Sequence, residues 1–153
     1  MPSLLFVCTG NVCRSPMAVA LFKQLLQQHG LLASWRVESA GTWGPSGKPA
    51  SGNACLVMAE RGYDLSEHRS RMVSGQLLKD FDLILAMERG HVEALATEFP
   101  EIAGRLHLLT HMVDAGHDIP DPYLQDVKCY REMADYLSDV LQRGFQRIVD
   151  LAA

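Results

Sequence analysis

Cysteine, arginine and serine are spaced for phosphoryl chemistry near the N-terminus, in Cys8-Thr9-Gly10-Asn11-Val12-Cys13-Arg14-Ser15-Pro16. The stretch follows the apolar run Leu4-Leu5-Phe6-Val7, so a strand leads into a small polar loop, and Pro16 suits the first turn of a helix. With five residues between Cys8 and Arg14, the loop can curl around the sulfur and turn the backbone N–H groups from Thr9 to Ser15 inward. Such donors, at the positive end of a helix dipole, make a site for a tetrahedral oxyanion, and phosphate is its natural guest. The same field stabilises a thiolate, which makes Cys8 a candidate nucleophile. Arg14 supplies a planar fork able to hold two phosphate oxygens at once. Ser15 can donate its hydroxyl to the sulfur when that sulfur must leave. Gly10 lets the backbone approach the anion, while Asn11 tolerates an unusual dihedral and ties the loop together through its amide. A lone cysteine usually packs as a small hydrophobe. The company of Arg14, Ser15 and Pro16 between a strand and a helix sets Cys8 apart from that reading.

The elements that must hold this loop follow from periodicity. From Met17 to His29, apolar residues at Ala18, Leu21, Phe22, Leu25 and Leu26 mark one face of a helix that Gly30 ends. Trp35 to Ala40 reads as a strand, and Gly41 to Pro49 as a loop rich in glycine and proline. That loop fails as a nucleotide-binding motif, because five residues separate Gly41 from Gly47 and Pro49 follows Lys48. Trp43 within it offers either a flat wall for an aromatic ligand or a surface residue. Ala50 to Arg61 is a second helix, Ser74 to Leu78 a helical turn, and Leu83 to Met87 a strand apolar enough to be buried on both faces. Glu88 to Phe99 is a helix stopped by Pro100, Leu106 to Leu109 a fourth strand, and Thr110 to Pro122 a loop long enough to suggest function. Asp126 to Leu151 keeps helical spacing throughout. Strands alternating with helices imply an α/β fold, a parallel sheet covered on both faces, with ligands at the carboxyl ends of its strands.

The chain has 153 residues, 48% of them apolar and 21% charged, which suits one domain spanning residues 1–153. A net charge of −4 argues against nucleic acid or an anionic membrane as partner. No apolar run approaches the ~20 residues that span a bilayer, and Met1-Pro2-Ser3 leads straight into a strand, so the expected location is the cytoplasm. Cys8, Cys13, Cys55 and Cys129 have neither zinc-site spacing nor the density of a secreted disulfide scaffold.

The loop sequence resembles the signature of the low-molecular-weight protein tyrosine phosphatases, Cys-x5-Arg followed by Ser or Thr. The resemblance extends over the whole chain and implies a single-domain, doubly wound four-stranded parallel sheet of order 2-1-3-4. It also implies a reaction through a phosphocysteine on Cys8, with no cofactor or metal. Arg14 and the loop from Thr9 through Gly10, Asn11, Val12 and Cys13 to Ser15 would hold the phosphate. Displacing a phenolate needs a proton donor, and Asp121 in Asp121-Pro122-Tyr123 is the residue the resemblance offers. Tyr123 and Trp43 would flank the aromatic ring. His68, in His68-Arg69-Ser70-Arg71, would hydrogen-bond Asn11, with Ser39 in the same network behind the loop. Cys13 is either packed or, as the resemblance implies, a reversible disulfide partner for Cys8.

This chain departs from the family in having Ser51 and Asn53 where many members carry Asp and Arg, and Glu88 where Asp is usual, so Glu88 is expected to alter substrate fit. Val12 favours tyrosine over arginine, since branches acting on phosphoarginine tend to have Thr there. Residues 111–123 look like the bacterial branch acting on tyrosine kinases of capsule and exopolysaccharide export. The implied partner is such a kinase, met by a monomeric enzyme. Two rivals share the loop: a thiol-dependent arsenate reductase, which needs relay cysteines near Cys8, and a non-catalytic phosphotyrosine-binding module, which has no use for both Cys8 and Asp121.

Overall fold

The computed structural model describes residues 1–153. Four parallel strands form one sheet in the order β2-β1-β3-β4: β1 (Ser3–Cys8), β2 (Arg36–Gly41), β3 (Leu83–Ala86) and β4 (Leu106–Leu108). The expected order 2-1-3-4 is the one observed. β1 lies between β2 and β3, pairing Cys8 with Gly41 and Val7 with Ala86. The chain leaves β1 toward one edge and returns on the other side of it. That reversal opens a crevice at the carboxyl ends, where ligands bind in such sheets.

Every residue of β1 is buried, and its alternation divides the core. Leu4, Phe6 and Cys8 join the cluster containing α1 (Arg14–Gln28) and α5 (Val127–Arg143), while Leu5 and Val7 face α3 (Gly75–Lys79) and α4 (Arg89–Glu98). Helices therefore cover both faces, and no helix is long and apolar enough to cross a membrane. On the α1 face, Phe22 meets Phe6 and Trp35 edge-on.

α2 (Gly52–Glu60) begins without the acidic and basic pair usual in the resemblance. Ser51 caps it instead, its hydroxyl accepting from Ala54 N at 3.3 Å. The long loop after β4 is partly structured, opening with a 3₁₀ segment over Leu109–Val113.

The expected single C-terminal helix is two, α5 and α6 (Phe145–Ala152), divided at Gly144. A Cβ at Gly144 would stand 2.8 Å from Met112 Cβ and 3.0 Å from Val140 O. The 3₁₀ segment thus approaches the helix backbone too closely for any side chain. The apolar periodicity runs through the break, which is why it reads as continuous.

Candidate active site

The loop from Thr9 to Cys13 leaves β1 and enters α1 with Asn11 in the left-handed region at φ 59. Its carbonyls are all tied away from its own centre except that of Gly10. Cys8 O accepts from Thr42 N, Thr9 O from Trp43 N, Val12 O from Ser51 N, and Cys13 O from Met17 N. Asn11 O accepts from His68 Nε2 at 2.6 Å, which fixes that ring as its Nε2–H tautomer. By contrast, no backbone N–H from Thr9 to Ser15 donates to another group of the protein. Unpaired donors of this kind are costly unless something else meets them. They are the donors that the sequence expects to hold an oxyanion.

The support behind the loop is complete. Asn11 Nδ2 donates to Ser15 Oγ at 2.8 Å and to Ser39 Oγ at 2.9 Å, and Asn11 Oδ1 accepts from Arg71 N at 3.0 Å. Ser39 and His68 thus meet Asn11 as expected. Arg71 carries no signal for this role in the sequence, yet it also reaches Ser39 O through Nε at 3.0 Å and pairs with Glu38. Having accepted from Asn11, Ser15 Oγ is free to donate to Cys8 Sγ at 2.9 Å. His68 is kept neutral chiefly by burial, which pushes its pKa below the ordinary value.

Gly41 makes this closure sterically allowed. A Cβ there would lie 2.4 Å from Thr9 O and 3.1 Å from Asn11 N. Gly41→Ala must therefore push the loop out of shape, with an expected loss of about 1–3 kcal/mol in stability by thermal unfolding and weaker binding of phosphate by titration. Unchanged affinity in the variant would mean that the loop tolerates the displacement.

Arg14 is 1% exposed although charged. Its Nη1 donates to Glu88 Oε2 and to Ile119 O, both at 2.7 Å, and its Nη2 reaches Thr9 Oγ1 at 3.3 Å. Its Nε is buried with no partner. The Nη1 end of the guanidinium is thus held by protein, and Nε meets no protein acceptor. Glu88 was expected to alter substrate fit. It does not line the cavity, and its carboxylate instead anchors Arg14.

A cavity of about 250 Å³ opens over the loop, with Cys8, Thr9, Gly10, Val12, Cys13 and Arg14 as its floor. Trp43 and Tyr123 stand at its mouth, 75% and 51% exposed, and Lys48 and Asp121 complete the wall. Asp121 Oδ2 lies 3.5 Å from Arg14 Nη2, while Oδ1 accepts from Tyr123 N at 3.0 Å in a local turn that orients the carboxyl. Asn11 and Ser15 are fully buried, so their side chains work from behind the loop and not in the cavity.

Cys13 Sγ is 3.2 Å from Tyr130 Oη and 3.5 Å from Ser51 Oγ, contacts with no signal in the sequence. Burial pushes the Cys13 thiol up and the Tyr130 hydroxyl to about 12. All four cysteines are free thiols, and neither Cys55 on α2 nor Cys129 on α5 lines the cavity over Cys8.

Residues 3–150 match the family model described as low molecular weight phosphotyrosine protein phosphatase. The chain is 37% identical over 142 residues to the probable low molecular weight protein-tyrosine-phosphatase EpsP of Ralstonia nicotianae, covering 93% of this chain and 90% of that one. It is 35% identical over 142 residues to the protein-arginine-phosphatase of Bacillus subtilis, covering 92% of both. Among solved structures, the low molecular weight protein tyrosine phosphatase of T. tengcongensis superposes with a TM-score of 0.90 at 36% identity. That match covers 96% of this chain and 99% of the other.

Proposed function

Because the chain belongs to the low molecular weight phosphotyrosine protein phosphatase family, we propose that its protein-tyrosine-phosphatase chemistry runs through Cys8, Arg14 and Asp121 in two steps. Cys8 Sγ attacks phosphorus as the phosphorus–oxygen bond to the tyrosine ring breaks, and Asp121 gives its proton to the departing phenolic oxygen. Water then attacks the phosphocysteine, passing a proton to the Asp121 carboxylate, and the sulfur leaves with Ser15 donating to it. Through both steps the loop N–H groups and the Nε edge of Arg14 hold the equatorial phosphoryl oxygens.

The observation that carries this reading is the run of unpartnered N–H groups from Thr9 to Ser15 beside an unpartnered buried Arg14 Nε. A protein that left so many donors unmet for no ligand would forfeit roughly 1–3 kcal/mol for each one buried. The cavity places apolar Val12 and the aromatic side chains of Trp43 and Tyr123 around the loop, a lining that suits an aryl phosphate and favours phosphotyrosine over phosphoarginine. A relay of disulfides away from Cys8, as an arsenate reductase needs, finds no second cysteine in the cavity wall other than Cys13. The test is acid quenching during turnover of a phosphotyrosyl peptide, followed by mass spectrometry. Phosphate on the peptide containing Cys8 is the expected result, and turnover with no phosphorylated cysteine would overturn the two-step reading.

We place the protein in the cytoplasm as a monomer, acting on an autophosphorylated bacterial tyrosine kinase of capsule or exopolysaccharide export. The likeness of residues 111–123 to that branch supports this partner. A tyrosine-rich phosphorylated kinase tail should then be hydrolysed about 10-fold faster than an unrelated phosphopeptide at limiting concentration, a difference of ~1.4 kcal/mol in transition-state binding. Equal rates on both would remove the kinase as preferred partner.

A further inference from the structure

His91 is 7% exposed, and neither chemical step uses it. It stands in the first turn of α4, where Glu88 N donates to its Nδ1 at 3.2 Å. Its Nε2 lies 2.8 Å from Thr9 Oγ1, the first side chain of the phosphate loop. A backbone N–H can only donate, so Nδ1 must be unprotonated and the ring proton must sit on Nε2. Thr9 Oγ1 therefore accepts from His91, and it also accepts from Arg14 Nη2 at 3.3 Å. With both lone pairs engaged, the Thr9 hydroxyl hydrogen is the atom left over, and Thr9 lines the cavity.

We propose that His91 is a positioning residue for phosphoryl binding: its Nε2–H makes the Thr9 hydroxyl a brace for Arg14 and an additional donor to a phosphoryl oxygen. This rests on the reading of the cavity as a phosphoryl site. One ring thereby couples the two side chains that grip Arg14, since its Nδ1 also fixes the backbone of Glu88, whose carboxylate holds Nη1.

The charged groups around the ring come from three segments. Arg14 faces it from α1, Glu88 from the residue that precedes α4 with Oε2 at 3.6 Å from Nε2, and Asp118 and Asp121 from the loop after β4. Burial and then Arg14 push the pKa of His91 below its ordinary value, outweighing the three carboxylates, so the ring is neutral at pH 7. Protonation at lower pH would place a proton on Nδ1 against Glu88 N–H and draw the Glu88 carboxylate from Arg14 toward Nε2. Anion affinity is thus present above the ordinary histidine value and falls as pH drops through the lowered one.

Sulfate is a suitable probe because it is a tetrahedral dianion at every pH from about 5 to 7, and its binding is read without turnover. By calorimetric titration, His91→Phe and Thr9→Val should each weaken sulfate about 10-fold at pH 7, the size of one lost hydrogen bond to a charged group. The double variant should be no weaker than either single one. His91→Gln, whose amide can accept from Glu88 N and donate to Thr9, should bind within about 3-fold of the parent and lose part of its decline at acid pH. Additive losses, or a glutamine variant with the parent's full decline, would overturn the proposal and leave His91 as a helix cap alone. Should His91→Phe not fold by circular dichroism, the glutamine and Thr9→Val arms still decide. A parent protein that binds sulfate but releases no phosphate from phosphotyrosine would instead sink the proposed function.

Discussion

Cys8→Ser is expected to lower kcat on a phosphotyrosyl peptide by about 10⁴-fold or more, as removal of a nucleophile does elsewhere. The substitution changes one atom at the end of β1 and leaves the loop donors, Arg14 and the hydrogen bond from Ser15 in place. A serine hydroxyl at that point has no base beside it to take its proton. Ser15 Oγ is its nearest partner and already accepts from Asn11, while in the proposed mechanism Asp121 carries the proton for the leaving group. Substrate binding should therefore survive the loss of chemistry. Stopped assays for released phosphate and titration with the unhydrolysed peptide separate the two. A serine variant retaining a tenth of the parent rate would mean that another group attacks phosphorus.

The second large effect belongs to Asp121→Asn, with an expected loss of roughly 10²- to 10⁴-fold, the range for a positioned general acid. Its size should depend on the leaving group. Phenolate from tyrosine is a stronger base than p-nitrophenolate and needs the proton more, so the loss should be greatest with phosphotyrosine. Geometry supports the assignment: the carboxyl is held by Tyr123 N on one oxygen and stands at the cavity wall beside Arg14 on the other. Asparagine can keep the contact with Tyr123 N but has no proton to give. Equal losses on the two substrates would point to Asp121 positioning Arg14 in place of protonating a leaving group.

Much of the loop from Cys8 to Ser15 was legible because the residues that shape it are local. Cys8, Arg14 and Ser15 are separated by a fixed number of bonds, and an apolar strand before them and a helix after them leave the loop few ways to run. Asn11 is a further case, since a left-handed residue with a side chain able to tie the loop is recognisable from residue type. The expectations for Ser39 and His68 came from likeness to known chains. Neither residue shows anything in its own neighbourhood that would mark it.

The sequence by itself determined where the loop lies between strand and helix, the alternation that buries β1, and the order of strands and helices, because each is set by residue type and period along the chain. Only the tertiary structure decided what grips Arg14: Glu88 before α4, Ile119 O in a later loop, and Thr9 with His91 behind it. It also decided that Gly41 must carry no side chain, that Cys13 turns to Tyr130 and Ser51, and that the last helix breaks where Met112 meets Gly144. The physical reason is the same in each case. These contacts join segments far apart in the chain, and a hydrogen bond or a steric limit is settled by a few tenths of an ångström that packing fixes and spacing does not record.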